Sequence, residues 1–222
     1  MLERILEPEA MDTAEEAADY DAMDHSGPNA DFIERLVELG AHGSMLDIGT
    51  GPGHMPPVIA ARLPEVRVLG VDLAHEMLSV AERRRLELAP DVAARIEYRP
   101  ADAKRLDFAD GHFDTVFSNT ILHHIPEPAS FLSEARRVLK PGGVLLIRDL
   151  FRPDDMTQLE ALVALHAEGS NDSQRKLFAD SLHAALTPAE LRALADDCGL
   201  TDAELVVDTD RHMSLQLRRA SD

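Results

Sequence analysis

The 222 residues suffice for one domain with a full core, or one domain plus a small lid. The 41 acidic side chains against 22 Lys and Arg leave a formal charge of −19, which repels phosphate backbones and anionic membranes and sets nucleic acid and lipid surfaces aside as main partners. With 4% aromatic residues and no Trp, a ladder of stacked bases lacks raw material, and the single cysteine, Cys198, permits no intrachain disulfide and fits a reducing compartment.

The acidic stretch from Met1 to Tyr20 has no apolar h-region, so neither a signal peptide nor a membrane span is expected, and the cytoplasm is the expected location. Residues 30–40 carry Phe32, Ile33, Leu36, Val37 and Leu39 at helical spacing, ending at Gly40. Ser44 to Ile48 reads as a short buried strand, followed by a glycine-rich turn and a helix over 55–63. Further strands are predicted over 66–71, 94–98, 113–117 and 144–147, and helices over 75–88 and 130–139. Arg83, Arg84 and Arg85 fall within the first of those two helices and read as a solvated face. Lys140-Pro141-Gly142-Gly143 predicts a tight turn into the last of those strands. Residues 153–186 read as helical and charged. Thr187, Pro188 and Glu190 stand at the N-cap, first and third positions of a helix that runs to Gly199. The runs 203–207 and 212–217 lie close enough to pair as a hairpin, with Asp210-Arg211-His212 read most simply as its surface.

Strands alternating with helices give a parallel sheet covered on both faces, and right-handed crossovers make it doubly wound. Ligands in such sheets bind at the carboxyl ends of the strands, near the switch in strand order. The turn at that place is Asp47-Ile48-Gly49-Thr50-Gly51-Pro52-Gly53-His54. A dinucleotide turn needs G-x-G-x-x-G, and here position 54 is His and position 56 is Pro. The actual spacing is G-x-G-x-G with Asp47 two residues before it; a carboxylate beside the ligand would repel a pyrophosphate and attract an ammonium group.

This stretch resembles the first motif of class I S-adenosylmethionine-dependent methyltransferases, and others follow in order. Gly70-Val71-Asp72-Leu73 ends the second strand in an acid, before Glu76-Met77; Asp102-Ala103 follows the third strand. Phe113-Asp114-Thr115-Val116 with Ser118-Asn119 resembles the fourth-strand motif, and Leu139 to Gly143 the turn before the fifth. The resemblance covers residues 28–150 well and the rest in outline. It implies S-adenosylmethionine as cofactor and an α/β fold: a doubly wound, mostly parallel seven-stranded sheet with helices on both faces and a C-terminal antiparallel hairpin. It also implies an N-terminal helical cap over 1–27, a Rossmann-like core over 28–150, a helical lid or acceptor segment over 151–187, and a final helix and strands over 188–222.

On this reading Asp47, Gly49, Thr50, Gly51 and Gly53 hold the methionine part, Asp72 the ribose hydroxyls, and Leu73, Met77, Asp102 and Ala103 the adenine side. Ser118 and Asn119 touch the methionine end. His123, His124, Asp149 and Tyr20 are the candidates for taking a proton from the acceptor. No metal is expected, because adjacent histidines point differently and no Glu or Cys is placed to complete a site. Motifs for amino-methylation of DNA or protein and for cytosine-C5 chemistry are missing after the fourth strand, which leaves a small-molecule acceptor. The alternatives are a non-catalytic S-adenosylmethionine-binding regulator and a nicotinamide-dependent oxidoreductase. The sequence specifies neither the acceptor nor the oligomeric state.

Overall fold

A computed structural model describes residues 2–7, 12–13 and 26–219. The apolar runs become strands β1 (Ser44–Ile48), β2 (Arg67–Asp72), β3 (Ile96–Pro100), β4 (Phe113–Asn119), β5 (Leu139–Leu150), β6 (Glu204–Val207) and β7 (His212–Leu217). They form one sheet in the order β3-β2-β1-β4-β5-β7-β6. β1 to β5 pair in parallel; β7 runs antiparallel to β5, and β6 antiparallel to β7. The chain moves outward from β1 to β3 and then returns to β4 on the other side of β1. That reversal opens a crevice above the carboxyl ends of β1 and β4.

Eight helices accompany the strands in the described chain: α1 (Ser26–Glu38), α2 (Met55–Arg62), α3 (His75–Leu86), α4 (Pro90–Ala93), α5 (Pro128–Val138), α6 (Met156–His166), α7 (Asp172–Ala184) and α8 (Pro188–Asp197). Successive strand residues point to opposite faces, and both faces are buried. Met45, Val144 and Leu146 pack with Phe32, Leu36 and Ile59 of α1 and α2. Leu46, Leu145 and Ile147 pack with Phe131, Ala135 and Leu191 of α5 and α8. At about 25 cal/mol per Å² of apolar area, these two layers supply most of the folding drive.

Several expected boundaries shift for local reasons. β3 begins at Ile96 rather than 94, because α4 ends with Ala94 as its cap and the β2 register pairs Val68 with Ile96. Lys140 to Gly143 does not precede β5 but bulges within it: Phe113 pairs with Leu139, and Thr115 next pairs with Val144. The predicted capping box is present, with Thr187 Oγ1 accepting from Glu190 N at 3.3 Å and Glu190 Oε2 accepting from Thr187 N at 2.8 Å. The helical stretch after Asp149 is two helices, α6 and α7, each with an Asp or Asn side-chain cap. Residues 2–7 lie along this unit, with Leu2 N donating to Asp154 O and Ile5 N to His183 O. No described helix is long and apolar enough to cross a membrane.

Candidate active site

β1 runs directly into the glycine turn. Gly49, Gly51 and Gly53 take φ values of 76°, 55° and 72°, which side chains rarely adopt. Two of them are glycines for different reasons. A Cβ on Gly53 would stand 2.6 Å from Tyr98 Oη and 2.8 Å from Ala81 Cβ, so its bareness lets the turn pack against β3 and α3. A Cβ on Gly51 would meet nothing within 4 Å, so its bareness leaves space for something else. Gly49 N and Thr50 N donate to Val71 O at 2.8 and 3.0 Å, and Gly51 N donates to Asp72 Oδ2 at 2.8 Å. The turn is thereby laced to the end of β2.

Above it lies a cavity of about 630 Å³. One end is lined by Gly49, Thr50, Gly51, Asp72, Leu73 and Met77, continued by Asp102, Ala103 and Asn119. Asp72 Oδ1 also accepts from Ala74 N at 2.9 Å. Burial raises its pKa, and the backbone N–H groups of Ala74, Gly51 and Leu73 oppose that rise. Leu73 beside it is 45% exposed, an apolar surface open at the cavity edge. Asp102 caps its own loop, accepting from Lys104 N at 2.9 Å and pairing with Lys104 Nζ at 3.0 Å.

Three residues expected at the ligand do not line this cavity. Asp47 is 0% exposed and lies under the turn, where its Oδ2 accepts from Thr50 Oγ1 at 2.7 Å. Burial pushes its carboxyl up to about 7; the Thr50 hydroxyl opposes this and the Asp72 charge adds to it. Its Oδ1 is buried with no hydrogen-bond partner among the described residues. Ser118 Oγ donates to Ile48 O at 2.7 Å and ties β4 to β1 at the switch point. Gly53 faces Tyr98 and Ala81, as above. In each case strict alternation or helix–sheet packing turns the residue away from the crevice.

The other end of the cavity starts where β4 stops. Thr120 holds φ at 63°, a left-handed conformation costly for a β-branched residue, about 1–3 kcal/mol by comparison with other such outliers. Its N–H donates to Arg148 O at 2.8 Å, which holds the strained residue in place. A 3₁₀ turn over Leu122–His124 follows and carries His123 and His124 to the cavity wall. His123 is buried; its Nδ1 stands 2.6 Å from Asp149 Oδ1, and its backbone N–H donates to Asp149 Oδ2 at 3.0 Å. Burial favours neutral imidazole, but the Asp149 and Glu7 carboxylates outweigh it and the His123 pKa is raised. Burial likewise resists ionisation of Asp149, but His123 and backbone N–H groups outweigh it and its pKa is lowered. Contrary to the expectation from sequence, a Glu is placed beside the two histidines. Glu7 Oε1 lies 3.3 Å from His123 Nε2 and 3.2 Å from His124 Nδ1, and the three groups converge within 4.8 Å. A proton taken up by His123 would be paired on both sides, by Asp149 and by Glu7. Tyr20, the remaining proton-transfer candidate, lies outside the described residues.

The same end is walled by Ser181 and Phe178 of α7, by Arg148 near the end of β5, and by Arg211 and His212 at the start of β7. The reading of Asp210-Arg211-His212 as hairpin surface is therefore incomplete. His212 is buried, and burial with Arg148 and Arg211 nearby drives its pKa down to about 3.

Residues 46–147 match the family model described as a methyltransferase domain. The chain is 31% identical over 199 residues to trans-aconitate 2-methyltransferase of Methylobacterium nodulans, covering 86% of this chain and 70% of that one. It belongs to the class I S-adenosylmethionine-dependent methyltransferases. Phosphoethanolamine N-methyltransferase 2 of Haemonchus contortus, solved in complex with S-adenosyl-L-methionine, shares the fold at a TM-score of 0.68 and 25% identity, covering 89% of this chain and 44% of that one. An S-adenosylmethionine-dependent methyltransferase of Aquifex aeolicus superposes with a TM-score of 0.69 at 19% identity, covering 95% of this chain and all of that one.

The seven-stranded methyltransferase fold and its cofactor are thus as the motifs imply. The residues present suit S-adenosylmethionine: open space over Gly51, a carboxylate at the end of β2, an exposed Leu beside it, and a buried, unpartnered acid oxygen under the turn. What sequence reasoning missed is the far wall of this methyltransferase's cavity, Arg148, Phe178, Ser181, Arg211 and His212, together with Glu7 beside the two histidines. Only the buried strand position of Arg148, an arginine ending the apolar run Val144 to Ile147, was a usable signal.

Proposed function

We propose that this methyltransferase moves a methyl group from S-adenosylmethionine to a small-molecule acceptor by in-line displacement. When bound, the cofactor supplies a methyl carbon already activated on a sulfonium. The protein's contribution is then positioning and exclusion of water. Asp72 would accept both ribose hydroxyls, Leu73 and Met77 would hold the adenine, and the Gly49–Gly51 backbone would lie against the methionine part. Asp47 acts one layer below as a positioning residue, orienting Thr50. Asn119 and the strained Thr120 mark the passage from the cofactor end to the acceptor end.

His123 is the residue we assign to the acceptor's proton. Asp149 holds its Nδ1, so neutral His123 takes the proton at Nε2, where Glu7 Oε1, 3.3 Å away, pairs with the imidazolium that forms. Residues 151–187 serve as the acceptor segment, and the cap expected over residues 1–27 lies largely outside the described residues. The net charge of −19 supports a small molecule rather than a nucleic acid, as do the small acceptors in the names of the matched relatives.

The observation that carries this reading is the glycine turn with open space over Gly51, hydrogen-bonded to Asp72 at the switch point. Calorimetry with S-adenosylmethionine and S-adenosylhomocysteine tests it. The expected dissociation constant is on the order of 1–100 μM, weakened ~30-fold or more by Asp72→Ala. Equal affinity in wild type and variant would overturn the assignment of the cavity.

A further inference from the structure

Taking the cofactor end of the cavity as read above, the geometry points to an acceptor that carries an oxyanion, a carboxylate or a phosphate ester, held by Arg148 and Arg211. The antiparallel register pairs Leu150 with His212 and Arg148 with Ser214, so Arg148, Leu150 and His212 share one face of the sheet at the carboxyl end of β5. Arg211 immediately precedes His212, its Nη1 2.7 Å from the His166 imidazole. Both arginines are among the residues lining the cavity, in a chain whose net charge is −19. Cations gathered at one wall of an acidic protein mark where negative charge is wanted.

Arg148 carries the argument. It is 6% exposed, its Nη1 donates to Pro28 O at 3.2 Å, and its Nε is buried with no partner among the described residues. Leaving a charged donor buried and unmatched is costly, so such a site is completed by an acceptor from outside. A guanidinium fork fits the two oxygens of a carboxylate or phosphate, and two forks fix its orientation. The acids that face this pair do not supply the match. Asp31 of α1 and Asp208 act on Arg148 only through space. Asp210 is engaged by His166 at 2.7 Å and reaches Arg211 at 3.4 Å. His212, buried on the same wall, stays neutral chiefly because burial disfavours its charge, with Arg148 and Arg211 adding to that, so it brings no further cation to the pair.

The test uses the full chain saturated with S-adenosylhomocysteine. Succinate, tricarballylate and glycerol 3-phosphate are titrated by calorimetry at low salt, beside dimethyl succinate, trimethyl tricarballylate and glycerol. At least one charged probe is expected to bind ~10-fold or more tightly than its uncharged counterpart. The carboxylate and phosphate arms separate the two sources. Arg211→Gln should weaken that binding ~10-fold and leave S-adenosylhomocysteine affinity within ~2-fold. Arg148→Lys, which keeps the charge but loses the fork, guards against misfolding of a more drastic change and should weaken it ~5-fold or more. Uncharged probes that bind as well as the charged ones, or an anion affinity indifferent to Arg211→Gln, would overturn the inference. Failure to load S-adenosylhomocysteine in the first step would instead sink the cofactor reading beneath it.

Discussion

The two ends of the cavity are built in opposite ways. The cofactor end is mostly backbone and comes from consecutive strand ends: the β1 turn, Asp72 after β2, Asp102 after β3 and Asn119 after β4. The other end is side chain and comes from segments far apart in the chain: the 3₁₀ turn, β5, α7 and β7, with Glu7 beside the two histidines. The first end carries acids, Asp72 and Asp102; the second carries arginines and histidines. One end is thus fixed by local turn geometry, while the other is assembled by tertiary packing and is free to vary with the acceptor.

That contrast predicts different failures. The largest effect belongs to Asp72→Ala, with the ~30-fold or greater loss of cofactor affinity stated above. The two glycines give a sharper comparison. Gly53→Ala should cost ~2–4 kcal/mol of stability, since its Cβ would stand 2.6 Å from Tyr98 Oη, and Tyr98→Phe in the same chain should recover part of it. Gly51→Ala should cost only ~1 kcal/mol, the backbone strain alone, yet weaken S-adenosylhomocysteine ~10-fold because its methyl occupies the open space. Urea melts and calorimetry on both variants check the pair. If Gly51→Ala binds normally, the space over that turn is not where the cofactor lies.

At the other end, His123 should titrate above its ordinary 6.5 in histidine NMR spectra, and Asp149→Asn should bring it down by removing the main carboxylate. A His123 signal unmoved by Asp149→Asn would break the assigned dyad. The smallest effect concerns His212. The unfolded chain binds a proton there below 6.5, whereas the folded chain does so only near 3. The stability it contributes is therefore fully present above 6.5 and is lost as pH falls toward 3, with a slope of at most ~1.4 kcal/mol per pH unit. Urea midpoints between pH 5 and 7 should show a shallower slope for His212→Gln than for wild type.

The same division decides what the sequence reveals. The sheet, its hairpin and the Thr187 capping box were legible because each depends on residues a few positions apart. The glycine turn was legible as a motif, but not in detail: Asp47, Gly53 and Ser118 sit beside the cavity-lining residues in sequence but do not line the cavity, because alternation along β1 and β4 turns Asp47 and Ser118 inward and Gly53 packs against Tyr98 and Ala81. The bulge at Lys140 to Gly143 reads in the sequence as a turn, since its glycines report backbone freedom and not whether pairing resumes on the same strand. Glu7 and Arg211 were illegible. Nothing local couples position 7 to position 123, or places the start of β7 over the end of β5; only the antiparallel register of the last strands does so.

A crystal structure of the protein soaked with S-adenosylhomocysteine tests the division of the cavity most directly. The ribose hydroxyls should lie on Asp72, the adenine against Leu73, and the sulfur should point past Asn119 toward His123. Ligand density absent from this crevice, or a ribose anchored away from Asp72, would contradict the account.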